Sequence, residues 1–209
     1  MCIRDSLMML IGIGAGAVLC WDGYSHVVVL DDKDLCLVMS DNFQDGSLNE
    51  DIWSREVQLG GFGNGEFQAT TNEDKNLFLR NGNLYLMPTL TADDLGNGWD
   101  EVFDGGELNL DGCTSADVND TQCSYTSSSE QGTTLQPVKS ARIHTKDKHS
   151  IAFGKVEVRA KLPRGDWLWP AIWMLPVDEE NTYGIWPLSG EIDVRTFPSS
   201  YLFFFNHAI

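Results

Sequence analysis

Two short apolar runs, Leu77-Phe78-Leu79 and Leu84-Tyr85-Leu86-Met87, flank Arg80-Asn81-Gly82-Asn83. Asn-Gly at such a junction admits few backbone solutions. Both residues tolerate the positive φ that a tight turn needs if it is to match the twist of two antiparallel strands. The segment is therefore expected to fold back as a hairpin. Nothing from Cys36 onward reads as alternating strand and helix. Leu35 to Met39, with Asp41-Asn42-Phe43 after it, is expected to form a first strand, and Asn49 to Trp53 a turn. Ala141-Arg142-Ile143-His144-Thr145 reads as another strand. In Lys155 to Lys161 apolar Val156, Val158 and Ala160 alternate with charged residues, the period of a half-buried strand. The expected class is all-β, and 209 residues suffice for one domain with a substantial core.

The formal net charge of −17 excludes a nucleic-acid partner on electrostatic grounds and is neutral toward an uncharged polysaccharide. Residues 1–6, MCIRDS, back-translate to a transposon-end adapter and are read as an assembly artefact. Leu7 to Leu19 is an apolar run of thirteen residues. That matches a signal-peptide core of roughly 7–15 residues better than a membrane span of roughly 17–25. Residues 7–21 are accordingly expected to be a signal peptide or a signal-anchor, and 22–35 a solvated linker. Gly12, Gly14 and Ala17, followed nineteen residues after Gly12 by Asp31, imitate a dinucleotide fingerprint. The helix that fingerprint needs is expected to break at Trp21-Asp22-Gly23-Tyr24-Ser25.

Thr91 to Gln136 is polar and too long to lie structureless in a compact domain. Cys113 and Cys123, nine residues between them, are expected to close it by a disulfide in an oxidising compartment. Asn119-Asp120-Thr121 is an N-glycosylation acceptor inside that loop. Gly60 to Gly65 resembles a phosphate loop but lacks its Gly-Lys-Ser/Thr ending, so a tight loop at a cleft rim is expected. His144 and His149 show no ligand spacing with any cysteine or carboxylate, so no metal site is expected. No cofactor is implied, a bracing calcium ion stays open, and a monomer is expected.

Four of the seven tryptophans fall in residues 154–193. Most tryptophans are expected in the core, although flat indole faces also suit stacking on sugar rings. Within GDWLWPAIWMLP and TYGIWPLSGEID, Glu191 and Asp193 are placed on one face of an extended strand, roughly 6.6–6.8 Å apart along the backbone. Like-charged carboxylates so close raise each other's proton affinity, as acid/base or nucleophilic chemistry on a sugar requires.

These words, together with Asp41-Asn42-Phe43, Trp53, Val57 to Gly63 and Ser140 to Ile143, resemble the laminarinase-like branch of glycoside hydrolase family 16, especially its fungal and other eukaryotic members. The resemblance covers residues 36–193. It implies a β-sandwich of jelly-roll, concanavalin A-like type whose groove holds β-1,3-glucan. By resemblance Glu191 is the nucleophile, Asp193 tunes it, and Trp186 stacks beside the scissile bond. The same likeness puts Asn64 and Glu66 along the negative subsites and Arg142 in the cleft. Asn64 reads equally as a left-handed turn residue beside Gly65, and Arg142 as a surface arginine. Trp167 and Trp169 are candidates for the groove wall or for the core.

The resemblance breaks at one place. The family's Glu-x-Asp-x-x-Glu ends here in Thr196, and Arg195 fills the alternative spacing. A retaining hydrolase needs two carboxyl groups about 5–5.5 Å apart, and losing a positioned general acid costs on the order of 10²- to 10⁴-fold in rate. Two readings follow: a retaining β-1,3-glucanase or transglycosylase, inactive in this form, or a non-catalytic β-glucan-binding protein. The Thr196 to Ile209 segment matches nothing in the family. Residues 194–209 are read as translated intron, and the domain as incomplete at its C-terminal side.

Overall fold

The computed structural model describes residues 3–26, 35–63, 65–115, 121–166, 168–177, 184–196 and 207–208. They form two compact units. The larger comprises Leu37–Ser150 and Leu175–Ile192, the smaller Met1–Cys36, Ile151–Met174 and Asp193–Ile209.

In the larger unit β1 (Ser54–Glu56) pairs antiparallel with β9 (Arg142–His144), Glu56 opposite Arg142. Two backbone bonds between Gln58 and Thr70 then carry β1 onto β2 (Gln68–Thr70). β2 runs parallel to β8 (Val138–Ser140), whose other edge takes β5 (Thr89–Leu90) antiparallel. β3 (Leu77–Leu79) and β4 (Leu84–Leu86) form the expected hairpin. Arg80 and Asn83 exchange backbone bonds of 2.9 and 3.1 Å, while Asn81 and Gly82 take φ of 52° and 66°. A Cβ on Gly82 would also meet the Gln44 side chain, so glycine is required there twice over.

The polar stretch after Thr91 is not structureless. It holds a short helix (Trp99–Phe103) and a second hairpin, β6 (Glu107–Asn109) with β7 (Ser124–Thr126). The disulfide Cys113–Cys123 closes it, with Cα atoms 5.6 Å apart. One apolar cluster joins Leu59 and Ala69 to Val102, Leu108 and Leu135, so the segment after Thr91 supplies half a core. A second cluster gathers Leu48, Leu77 and Ala141, with Trp53, Leu79 and Ile143 packed against it.

Of the buried side-chain polar atoms among the described residues, Gln136 Oε1 alone lacks a hydrogen-bond partner. Asn76 is fully buried and its carboxamide bonds to the carbonyls of Met87 and Lys139 and to the hydroxyls of Thr71 and Thr89. The Lys139 side chain leaves β8 on a buried path to Glu73 and Asp94, each at 2.7 Å, and Lys75 bridges the same two carboxylates.

In the smaller unit α1 (Ile3–Ser25) carries no break at Trp21–Ser25. This corrects the expected end of the helix. One glycine costs about 1 kcal/mol in a helix interior, too little to break a helix whose last turn is closed by Ser25 Oγ and His26 N–H donating to the Asp22 carbonyl. No helix among the described residues is long and apolar enough to cross a membrane. Ile3–Ser25 includes Arg4, Asp5 and Asp22, which dilute its apolar run.

Two expected strands also fail. Leu35 to Met39 is irregular, and Leu37 is 83% exposed. Lys155 to Lys161 is strand only at β10 (Lys155–Val156), which pairs with β13 (His207–Ala208). Alternation makes a strand only where an apolar face finds a cover and the backbone finds a partner; Val158 is exposed. β11 (Ala171–Met174) and β12 (Ile192–Thr196) complete this unit as a two-stranded sheet.

Burial opposes ionisation of Glu73 and Asp94, but the ammonium groups of Lys139 and Lys75 outweigh it and hold both carboxyls below their ordinary values. A carboxyl depressed in the fold contributes stability that is present above its unfolded value and lost as pH falls through its folded one. Thermal unfolding followed against pH is therefore expected to show Tm dropping below about pH 4.5, and Lys139→Met is expected to shrink that acid-side drop. Closing a loop of this length stabilises by about 2–3 kcal/mol in the chain-entropy account. Cys113→Ser with Cys123→Ser should lower the unfolding free energy by that amount in denaturant titration.

Candidate functional site

The segment from Gly184 to Glu191 is built of turns. Leu188 N–H bonds to the Ile185 carbonyl at 2.9 Å and Gly190 N–H to the Pro187 carbonyl at 3.1 Å, with Gly190 at φ 78°. Folding back twice within six residues returns the Trp186 indole to Glu191. Its Nε1–H donates to Glu191 Oε2 at 3.0 Å. Glu191 is exposed and lies immediately before β12 rather than within the strand expected to carry it with Asp193. Trp186 is 59% exposed, between exposed Ile185 and Leu188. A carboxylate held by an indole N–H, beside an open aromatic face, can accept hydrogen bonds from hydroxyls while the ring covers the apolar face of a sugar.

The larger unit also carries Arg142. Its Nε donates to Glu56 Oε2 at 2.8 Å across the β1–β9 pair, and its guanidinium lies 4.1 Å from the centre of the Phe62 ring. Glu56 accepts in turn from Gln58 Nε2 at 2.9 Å. Arg142 is thus clamped between a carboxylate and a ring rather than loose at the surface. Glu66 accepts from Gln68 Nε2, and its backbone N–H bonds to the Gly61 carbonyl, which curls the glycine loop. Phe62 sits in that loop at φ 50°.

Asp193 and Thr196 belong to β12 in the smaller unit, Asp193 exposed, and Trp169 is 77% exposed in the same unit. Trp169 therefore does not fill a core. Trp21, Trp99 and Trp186 are exposed too, and Trp173 is half-buried; only half-buried Trp53 is seen packed against a core cluster, which corrects the expectation of mostly buried indoles. Asn64, Trp167 and the Asn119 acceptor lie outside the described residues.

The structure adds Glu56, Gln58 and Phe62, which sequence reading passed over. A carboxylate two positions from a glutamine carries no signal by itself; only the β1–β9 register, Glu56 opposite Arg142, gives it meaning. Among the described residues no group of three or more His, Cys, Asp and Glu side chains is placed to hold a metal ion.

No family model matches the chain. A β-1,3-glucan-binding protein of Penaeus monodon is 41% identical over 162 residues, 76% of this chain and 42% of that protein. Glucan endo-1,3-beta-glucosidase A1 of Niallia circulans is 31% identical over 76% of this chain and 19% of its own length. Among solved structures, the catalytic domain of an endo-1,3-beta-glucanase (laminarinase) from Thermotoga petrophila superposes with a TM-score of 0.53 at 30% identity, over 78% of this chain and 51% of that one. The chain spans about half of the length of these relatives at most. Strand content and superposition agree: the chain has a laminarinase-like fold, the jelly-roll β-sandwich of glycoside hydrolase family 16.

Proposed function

We propose that this chain is a β-1,3-glucan-recognition domain of the glycoside hydrolase family 16 laminarinase lineage, and that it binds glucan without cutting it. The observation that carries this reading is the Trp186–Glu191 pair, an exposed indole bonded at 3.0 Å to an exposed carboxylate. It is a surface made for a sugar ring and its hydroxyls. Likeness to the Penaeus monodon glucan-binding protein supports the substrate class. Arg142 and Glu66 of the same unit are further candidates for contact with the polymer, and Asn64, Trp167 and Trp169 are candidates by resemblance alone.

Chemistry is where the binding reading parts from the hydrolytic one. In a retaining hydrolase Glu191 would attack the anomeric carbon, Asp193 would tune it, and a second carboxyl would protonate the departing oxygen. Position 196 carries a threonine, whose hydroxyl is far too weak an acid to protonate a departing oxygen. Without that donor the glycosidic oxygen leaves as an alkoxide, and the on-the-order-of 10²- to 10⁴-fold loss leaves binding as the net activity. Likeness to the Niallia circulans glucosidase favours the hydrolytic reading as the second one. The Cys113–Cys123 bridge supports a secretory, oxidising location, with residues 7–21 as the targeting segment.

Laminarin binding by the full chain, with reducing-sugar release measured in parallel, tests the proposal. Affinity is expected to fall about tenfold or more in Trp186→Ala, a loss of about 1.4 kcal/mol, with no release above blank. Sugar release that disappears in Glu191→Gln would establish the hydrolytic reading instead.

A further inference from the structure

We propose that a cavity walled by the Glu50–Trp53 turn, β1 and the Gly112–Thr114 loop is a second saccharide site, one that takes an acidic sugar of one or two rings. It encloses about 350 Å³ and shares no residue with the Trp186–Glu191 pair.

The charge pattern is the first ground. Acidic residues outnumber basic ones 31 to 14. Lys75, Lys139, Arg142 and Lys155 all lie against carboxylates. Arg55 and Lys148, both on this cavity wall, have no carboxylate partner among the described residues. They are nonetheless fixed. Arg55 Nη1 donates to the Asn72 carbonyl at 2.9 Å, which leaves most of its five N–H groups for a ligand. Lys148 Nζ donates to the carbonyls of Glu50 and Trp53, the second at 2.8 Å, and keeps one N–H. Two cations held in place before a ligand arrives lose little side-chain freedom when it binds.

The rest of the wall suits a sugar ring. Trp53 lines the cavity with its indole N–H already given to Asp41 Oδ2 at 2.9 Å and its ring stacked with Phe43, so it is a fixed wall rather than a donor. Exposed Thr114 contributes a hydroxyl, anchored by the Val57 N–H at 2.9 Å. Gly112 has φ 67°, and a Cβ there would come within 2.9 Å of Asn72 Nδ2. The glycine therefore keeps Asn72 in place on the wall. Arg55 lines this cavity, while its neighbour in β1, Glu56, bonds to Arg142 and does not line it. A volume at the lower end of ligand pockets, roughly 300–1,000 Å³, fits one or two pyranose rings. The two cations call for a carboxylate or a sulfate ester on that ring, and the single Glu50 carboxylate on the same wall is outnumbered by them.

Isothermal titration of the full chain with D-glucuronic acid and with D-glucose 6-sulfate distinguishes the two acidic groups. D-Glucose serves as the neutral ring and sodium sulfate as the anion without a ring. The expected result is binding of at least one acidic sugar, weaker by about tenfold or more in Arg55→Gln and in Lys148→Gln. Neither control binds. In the unsubstituted chain that binding also weakens as sodium chloride is raised from about 0.02 to about 0.5 M, as screening requires, a readout that needs no variant to fold. Binding of D-glucose or of sodium sulfate with equal affinity would overturn the assignment. So would silence from both acidic sugars, indifference to salt, or unchanged affinity in both folded variants.

Discussion

A single carboxamide holds the larger unit together. Asn76 is wholly buried, and its two N–H bonds and one oxygen reach Met87 after β4, Thr89 in β5, Lys139 in β8 and Thr71 after β2. An amide in an apolar interior costs several kcal/mol unless every donor is met, so these four segments have one mutual arrangement that satisfies it. Lys139 reinforces the constraint from the same strand, since a buried ammonium demands the Glu73 and Asp94 carboxylates that meet it. The two groups together fix β8 between β2 and β5, which apolar packing alone would leave free to slide.

With β8 fixed, its immediate continuation β9 delivers Arg142 to Glu56 and Phe62. A guanidinium tied on one side and stacked on another presents its remaining donors in a set direction. Trp186 and Glu191 reach the same kind of order differently, through two successive turns and one side-chain bond. Neither arrangement is rich in apolar contact. Trp186 and Glu191 are open to solvent and Arg142 is half-buried, while the core clusters lie under Leu77 and Leu135.

Local chemistry was legible in the sequence and long-range pairing was not. Asn81-Gly82 dictated its own turn, and Cys113 and Cys123 were close enough in the chain to be matched by spacing. Glu191 and Trp186 lie five residues apart, so their partnership needed only the turns that Pro187 and Gly190 announce. The parallel union of β2 with β8 joins residues about seventy apart, and nothing in Gln68–Thr70 or Val138–Ser140 names the other. Lys139 reads as a surface residue until Glu73 and Asp94 are seen around it. Lys155 to Lys161 misled for the opposite reason: its alternation is genuine, but Val158 finds no apolar cover, so the pattern forms no strand beyond Val156. α1 outlasted its expected end because one glycine is a weaker breaker than a closed last turn is a stop.

In the proposed function glucan lies on the Trp186 indole with Glu191 beside it. A structure of the full chain with a laminari-oligosaccharide bound is expected to show a pyranose ring over the exposed indole face at contact distance, about 4 Å, with a sugar hydroxyl donating to Glu191. An oligosaccharide bound elsewhere, with the Trp186 face bare, would contradict it.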